Sequence, residues 1–178
     1  WGPKRFLIFY MICGIGASVI HMTIQELDMW NMKELVEGIR NGSIQDLDDF
    51  IASYIPEHKQ GAWINLLQKW SIEPGNAELA EIAATQSALY MQILEDRVML
   101  GASGAIFGIL LAFGMYYPNV VMFPIPIKAK YFVIFYGIAE LIAGISNNPS
   151  DNVAHFAHLG GMLFGYLLIR FWRARGIY

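Results

Sequence analysis

An all-α, polytopic membrane helical bundle is the fold class this sequence predicts, and three observations carry the prediction. Apolar residues make up 56% of the chain and charged residues only 15%, where a soluble domain carries about a quarter charged. Four apolar runs of near-membrane length stand apart from one acidic block. The basic residues fall on alternate connections between those runs, the pattern that orients helices in a bilayer. The same composition excludes disorder, fibrous repeats and nucleic-acid binding as leading classes. A net charge of −3 accompanies basic residues that never cluster into a groove-like patch.

The net charge is an average over two unlike populations. Residues 26–97 hold thirteen of the 15 acidic residues and five of the 12 basic ones, a net −8, which leaves +5 for the remainder. The chain therefore divides into a transmembrane helix over 1–25, an acidic extracytoplasmic helical insertion over 26–97, and three further transmembrane helices over 98–178.

Each run can be taken in order. Residues 6–24 are 19 positions without a formal charge, and 98–117 are 20 more. Residues 131–145 form a shorter run containing Glu140. Residues 153–172 are apolar apart from His155, His158 and Arg170. A helix needs roughly 20 apolar residues to cross a hydrocarbon core of about 30 Å, so three runs fit and the third needs its flanks. Lys4 and Arg5 precede the first run, Lys128 and Lys130 lie between the second and third, and Arg170, Arg173 and Arg175 close the fourth. The insertion and the basic-free loop 146–152 are accordingly expected outside, with both chain ends inside.

Tyr10, Tyr116, Tyr117, Tyr131 and Trp172 lie near span ends, where interfacial aromatics collect. Pro118, Pro124 and Pro126 end the second span and stiffen the inner loop. Cys13 is the only cysteine and excludes an internal disulfide. It is read as a buried, inert thiol. With Trp1 in place of Met and no cleavable signal pattern, the chain reads as an internal piece of a longer protein.

Polar groups in a membrane are costly and tend to be functional, which shortens the chemical search to Ser103, Glu140, His155 and His158. Ser103 lies five residues into the second span and His158 five into the fourth. Both helices enter from the outer side, so both side chains are expected at a depth of about 8 Å. A serine and a histidine at one depth can meet as nucleophile and general base if their helices touch. Gly104 with Gly108, and Gly161 with Gly165, are small-xxx-small pairs that let helix backbones approach closely in lipid. His158 and Gly161 are i and i+3, so the imidazole shares a face with the close-contact stripe. Ser103 at a helix start would also have unpaired backbone N–H groups nearby. Taken singly, each glycine pair reads as ordinary packing, Ser103 as a backbone-bonded residue and His158 as a helix bridge or ion-path residue.

These residues resemble the rhomboid intramembrane serine proteases. Gly101-Ala102-Ser103-Gly104 looks like the family's GxSG nucleophile motif. Ala157-His158-Leu159-Gly160-Gly161 with Gly165 looks like its AHxxGxxxG helix. The resemblance implies that Ser103 is the nucleophile and His158 its base, a dyad without a third acid. It implies that backbone N–H groups at Ser103 and Gly104 support the oxyanion and that Phe107 packs on the histidine ring. Gly101, Gly108, Gly161 and Gly165 would support helix packing. The implied reaction is hydrolysis of transmembrane segments of single-pass membrane proteins in the lipid bilayer. Helical substrate would enter laterally past residues 131–145. No metal, no organic cofactor and no nucleic acid is implied, and the implied location is a multi-pass protein of a bacterial inner membrane. The family core has six helices, of which this chain resembles the third to sixth. The HxxxN motif of the second core helix has no equivalent here, since His21 is followed at i+4 by Gln25. The full-length protein, rather than this chain alone, is therefore expected to carry the activity.

Two readings from other classes stand beside this one. One is a non-catalytic rhomboid-like protein that binds membrane helices through its glycine-lined faces. The other is a transporter or channel component using Glu140 and His158 as a relay. Glu140 is expected as a neutral, hydrogen-bonded helix contact, with a proton path as the alternative, and His155 as an interface-facing residue. In the insertion, 33–40, 44–55, 62–70 and 76–94 carry helical patterning, with Asn76 as a cap and Gly42, Pro56 and Pro74-Gly75 as breaks. It is read as a family-specific decoration, with a helical cap beside the site as the alternative.

Overall fold

The computed structural model describes residues 1–95, 102–123, 126–146 and 154–176. The described residues form seven α-helices: α1 Gly2–Arg40, α2 Ile44–Tyr54, α3 Gln60–Ile72, α4 Ala77–Glu95, α5 Ser103–Tyr116, α6 Ala129–Ser146 and α7 His155–Ala174. A short antiparallel pair, β1 Val121–Met122 and β2 Ile127–Lys128, lies between α5 and α6, with Val121 opposite Lys128. The loop 146–152, apart from Ser146, lies outside the described residues, as does Gly101. The helices belong to two compact units, one built from residues 1–24, 102–146 and 154–176 and the other from 25–95.

Helix α1 departs from the expected pair of segments, a span over 6–24 and a separate helix over 33–40. It runs unbroken for 39 residues, about 58 Å at the helical rise. Residues 17–37 contain no Gly or Pro, so nothing interrupts propagation once the helix has started. It ends where Gly42 takes a left-handed φ of 95°. The Ser43 N–H then donates to the Gly38 carbonyl and the Gly42 N–H to Ile39, each at 3.0 Å, which is a Schellman ending. Ser43 next caps α2 by accepting from the Asp46 N–H at 3.2 Å.

Residues 25–95 enclose a core of large side chains. Met32, Ile39, Leu47, Phe50, Ile55 and Trp70 are fully buried, drawn from the second half of α1, from α2 and its C-cap residue Ile55, and from α3. Phe50, Trp63 and Tyr90 make mutual ring contacts 5.7–6.3 Å apart, which tie α4 to α2 and α3. Asn76 caps α4, its side-chain oxygen accepting from the N–H groups of Glu78 at 3.1 Å and Leu79 at 3.3 Å.

In the other unit, α5 packs on α7 with almost no side chain between them. A Cβ at Gly161 would collide with the Gly104 carbonyl, and one at Gly108 would lie 2.9 Å from the Gly161 carbonyl. Gly165 lies opposite Gly108, and Gly160 faces Ala17 and Ile20 of α1. Phe9, Ile169 and Trp172 are buried in this unit, but many other apolar side chains point outward. Phe135, Ile138, Ile142 and Ile145 form an exposed stripe along α6, and Ile8, Met11, Ile15, Val19 and Met22 form one along α1. Such stripes are helical in spacing, and exposed apolar patches of this kind mark surfaces that meet a membrane or a partner. Among the described residues, α1 and α6 are long and apolar enough to cross a bilayer, while α5 has 14 residues. α5 begins at Ser103 with Ala102, at φ −86° and ψ 13°, as its N-cap residue; the expected start of this span at residue 98 lies outside the described residues.

Candidate active site

Ser103 is the first residue of α5, and His158 lies in the first turn of α7. The Gly104–Gly161 approach sets the two helices close enough for their side chains to meet. Ser103 Oγ lies 2.9 Å from His158 Nε2, within hydrogen-bond range. His158 is buried, at 7% exposure, while Ser103 is half-buried. Phe107, one turn along α5, stacks on the imidazole with ring centroids 4.1 Å apart and planes within 4°. Tyr136 of α6 packs against Phe107 at 5.8 Å. The histidine ring is thus held on one face by an aromatic and on one edge by the serine.

Its other edge meets an acid. His158 Nδ1 lies 2.8 Å from Glu140 Oε2, and His155 Nδ1 lies 2.8 Å from the same oxygen. The hydrogen bonding expected of Glu140 is therefore present, and the contact falls on His158 itself. His155, expected to face the interface, instead joins this cluster. Its place at i−3 from His158 puts both imidazoles on the side of α7 that faces α6. The pairing across 15 and 18 residues has no local sequence signal. The one available clue was an acid in the middle of an apolar helix with two histidines on a neighbouring span.

The first N–H groups of α5 have no acceptor within their own helix, and they lie beside Ser103. The first intrahelical donor recorded there is Ile106, whose N–H reaches the Ala102 carbonyl at 3.1 Å. Glu140, His155 and His158 also bring two imidazole nitrogens and a carboxylate oxygen within 4.8 Å of one another. These are donor types that hold zinc. The 2.8 Å separations to the shared oxygen are those of hydrogen bonds, shorter than the roughly 3.3 Å between ligands of a tetrahedral ion bound at ~2.0–2.1 Å. Elsewhere in this unit, a cavity of about 740 Å³ is lined by Trp1, Pro3, Phe6, Ile109, Tyr116 and Tyr117, with no carboxylate, histidine or serine among its lining residues.

A helical membrane unit with a serine hydrogen-bonded to a histidine across two glycine-lined helices defines a class of protein. The Rhomboid domain family model matches residues 79–175, and the chain belongs to that membrane-embedded family. The match spans α5, α6 and α7 with Ser103, Glu140 and His158. No curated protein and no solved structure matches the chain.

Proposed function

We propose that this chain carries the Ser–His pair of an intramembrane serine endopeptidase that cuts transmembrane segments of other membrane proteins. One observation carries the reading: the 2.9 Å hydrogen bond between Ser103 Oγ and His158 Nε2. The serine proton passes to Nε2 as Oγ bonds to the peptide carbonyl carbon, and the carbonyl electrons move onto oxygen. Backbone N–H groups at Ser103 and Gly104 hold part of that oxyanion. When the C–N bond breaks, the protonated imidazole gives its proton to the departing amine. Water then attacks the acyl-enzyme by the same route, His158 taking and returning the proton, and Ser103 is restored. Phe107 keeps the ring from turning during these transfers.

In this reading all four apolar runs cross the membrane, and the acidic residues 26–97 lie on the outer side together with Ser103. The exposed stripes on α1 and α6 support a lipid setting, and the basic ends at Lys4–Arg5 and Arg170–Arg175 support an inward orientation of both ends. The protein is then a multi-pass component of a bacterial inner membrane. The experiment is a fluorophosphonate probe on the full-length protein in detergent. Ser103 is expected to be labelled, and Ser103→Ala is expected to reduce substrate cleavage by about 10⁴–10⁶. Unlabelled Ser103 together with undiminished cleavage in Ser103→Ala overturns the reading.

A second reading rests on the hydrogen-bonded Glu140, His155 and His158, which would suit a proton relay in a transporter. That protein would lose transport in Glu140→Gln and tolerate Ser103→Ala.

A further inference from the structure

Among the described residues, Glu140 is the acid whose carboxylate meets the candidate base, and the proposed dyad gives it no task. We propose that Glu140 is a positioning residue that fixes His158 in the tautomer needed to receive the serine proton, making a Ser103–His158–Glu140 chain; this rests on the proposed protease reading.

The argument begins with hydrogen-bond inventory. A neutral imidazole carries its proton on one nitrogen, and the other nitrogen is the acceptor. For Nε2 to take the Ser103 proton, the imidazole proton must sit on Nδ1. A carboxylate only accepts, so Glu140 Oε2 at 2.8 Å from Nδ1 favours the Nδ1–H form. Nε2 then presents its lone pair to Ser103 Oγ at 2.9 Å. When His158 gains the serine proton, the same carboxylate faces the new positive charge, as the acid of a hydrolytic triad does.

Three further contacts hold this geometry. His155 Nδ1 approaches the same oxygen at 2.8 Å, so a second N–H takes another acceptor direction of Oε2 and restricts how the carboxylate can turn. Phe107 stacks on the face of the His158 ring and opposes its rotation. Glu140 and His158 are both largely shielded, with side-chain exposures of 11% and 9%, and shielding strengthens a charged hydrogen bond relative to water. Ser103 comes from α5, Glu140 from α6 and His158 from α7, so three helices each supply one member. None of the three roles follows from helix packing alone.

The test uses the full-length protein in detergent and compares Glu140→Gln with wild type and Ser103→Ala. Glutamine matches the shape of glutamate, so a purely structural Glu140 predicts little change. The proposal expects kcat to fall about 10²–10⁴-fold with KM nearly unchanged, and fluorophosphonate labelling of Ser103 to slow in parallel. Glu140→Gln activity and labelling within threefold of wild type would overturn it. If Ser103→Ala loses both signals while Glu140→Gln keeps them, this inference fails and the protease reading stands. If Ser103→Ala keeps cleavage, the protease reading fails. Nitrogen-15 NMR of His158 in the unmodified protein then still judges the Glu140 bond: Nδ1–H as the main tautomer supports it, and Nε2–H as the main tautomer overturns it. That last measurement does not depend on any variant folding.

Discussion

The two units of this protein solve the packing problem in opposite ways. Residues 25–95 hide Trp70, Phe50, Leu47 and Met32 inside and carry their many acids outside. In the other unit, the closest helix contact is made by Gly104, Gly108, Gly161 and Gly165, while Phe135, Ile142 and Ile145 are left facing outward. The difference is the one expected between a water-facing and a lipid-facing unit. In water, large apolar side chains gain most by leaving the surface. Lipid tails are as apolar as leucine, so burial of such side chains drives little, and close backbone contact with hydrogen bonding holds helices together. The unit packed by glycines is also the one where polar side chains converge, because only a backbone-to-backbone approach brings Ser103 within 2.9 Å of His158.

Three substitutions would break or sharpen this contrast. The largest stability effect is expected at Trp70→Ala, which empties the core of residues 25–95 and costs about 3–5 kcal/mol. Two-probe thermal unfolding, with a reporter in each unit, should show the loss in that unit first. Next comes Gly161→Ala. Its added methyl overlaps the Gly104 carbonyl, and the forced shift costs about 1–3 kcal/mol. It should also slow Ser103 labelling, since the serine rides on the displaced helix; full labelling speed in a folded variant would contradict this account of the glycine seam.

The smallest effect compares two serines. Ser103 Oγ is hydrogen-bonded to His158, whereas Ser87 Oγ in α4 is buried and, among the described residues, has no hydrogen-bond partner. An unsatisfied buried hydroxyl costs roughly 1–3 kcal/mol that a methyl group does not incur. Ser87→Ala is therefore expected to leave residues 25–95 as stable or to raise their stability by up to about 1 kcal/mol, read from the denaturation midpoint. A clear loss of stability would show that Ser87 has a partner its surroundings do not reveal.

Much of the architecture was legible because it depends on local pattern. Gly42 and Asn76 marked a helix end and a helix start, since each acts through its own conformation or side chain on neighbours within five residues. That the first span and the helical patterning at 33–40 belong to one helix was less legible. No residue there opposes helix, and a change from apolar to acidic composition does not stop a backbone ladder. Ser103 and His158 were findable because each carries its own glycines along the chain. Glu140 and His155 were visible as polar intrusions, but their meeting on one oxygen was not.

Composition, charge placement and motif spacing by themselves determined that this is a helical membrane protein with an acidic, helix-patterned segment over 26–97, and singled out Ser103 and His158. Only the tertiary structure decided that α1 is one helix over Gly2–Arg40. It also decided that His158 sits between Ser103 and Glu140, with His155 on the same carboxylate. The physical reason is range. Helix propensity, caps and hydropathy act between residues close along the chain. A hydrogen bond between α6 and α7 depends on how each helix is rotated about its axis, and that rotation is set by contacts such as Gly161 on Gly104, 57 positions apart in sequence.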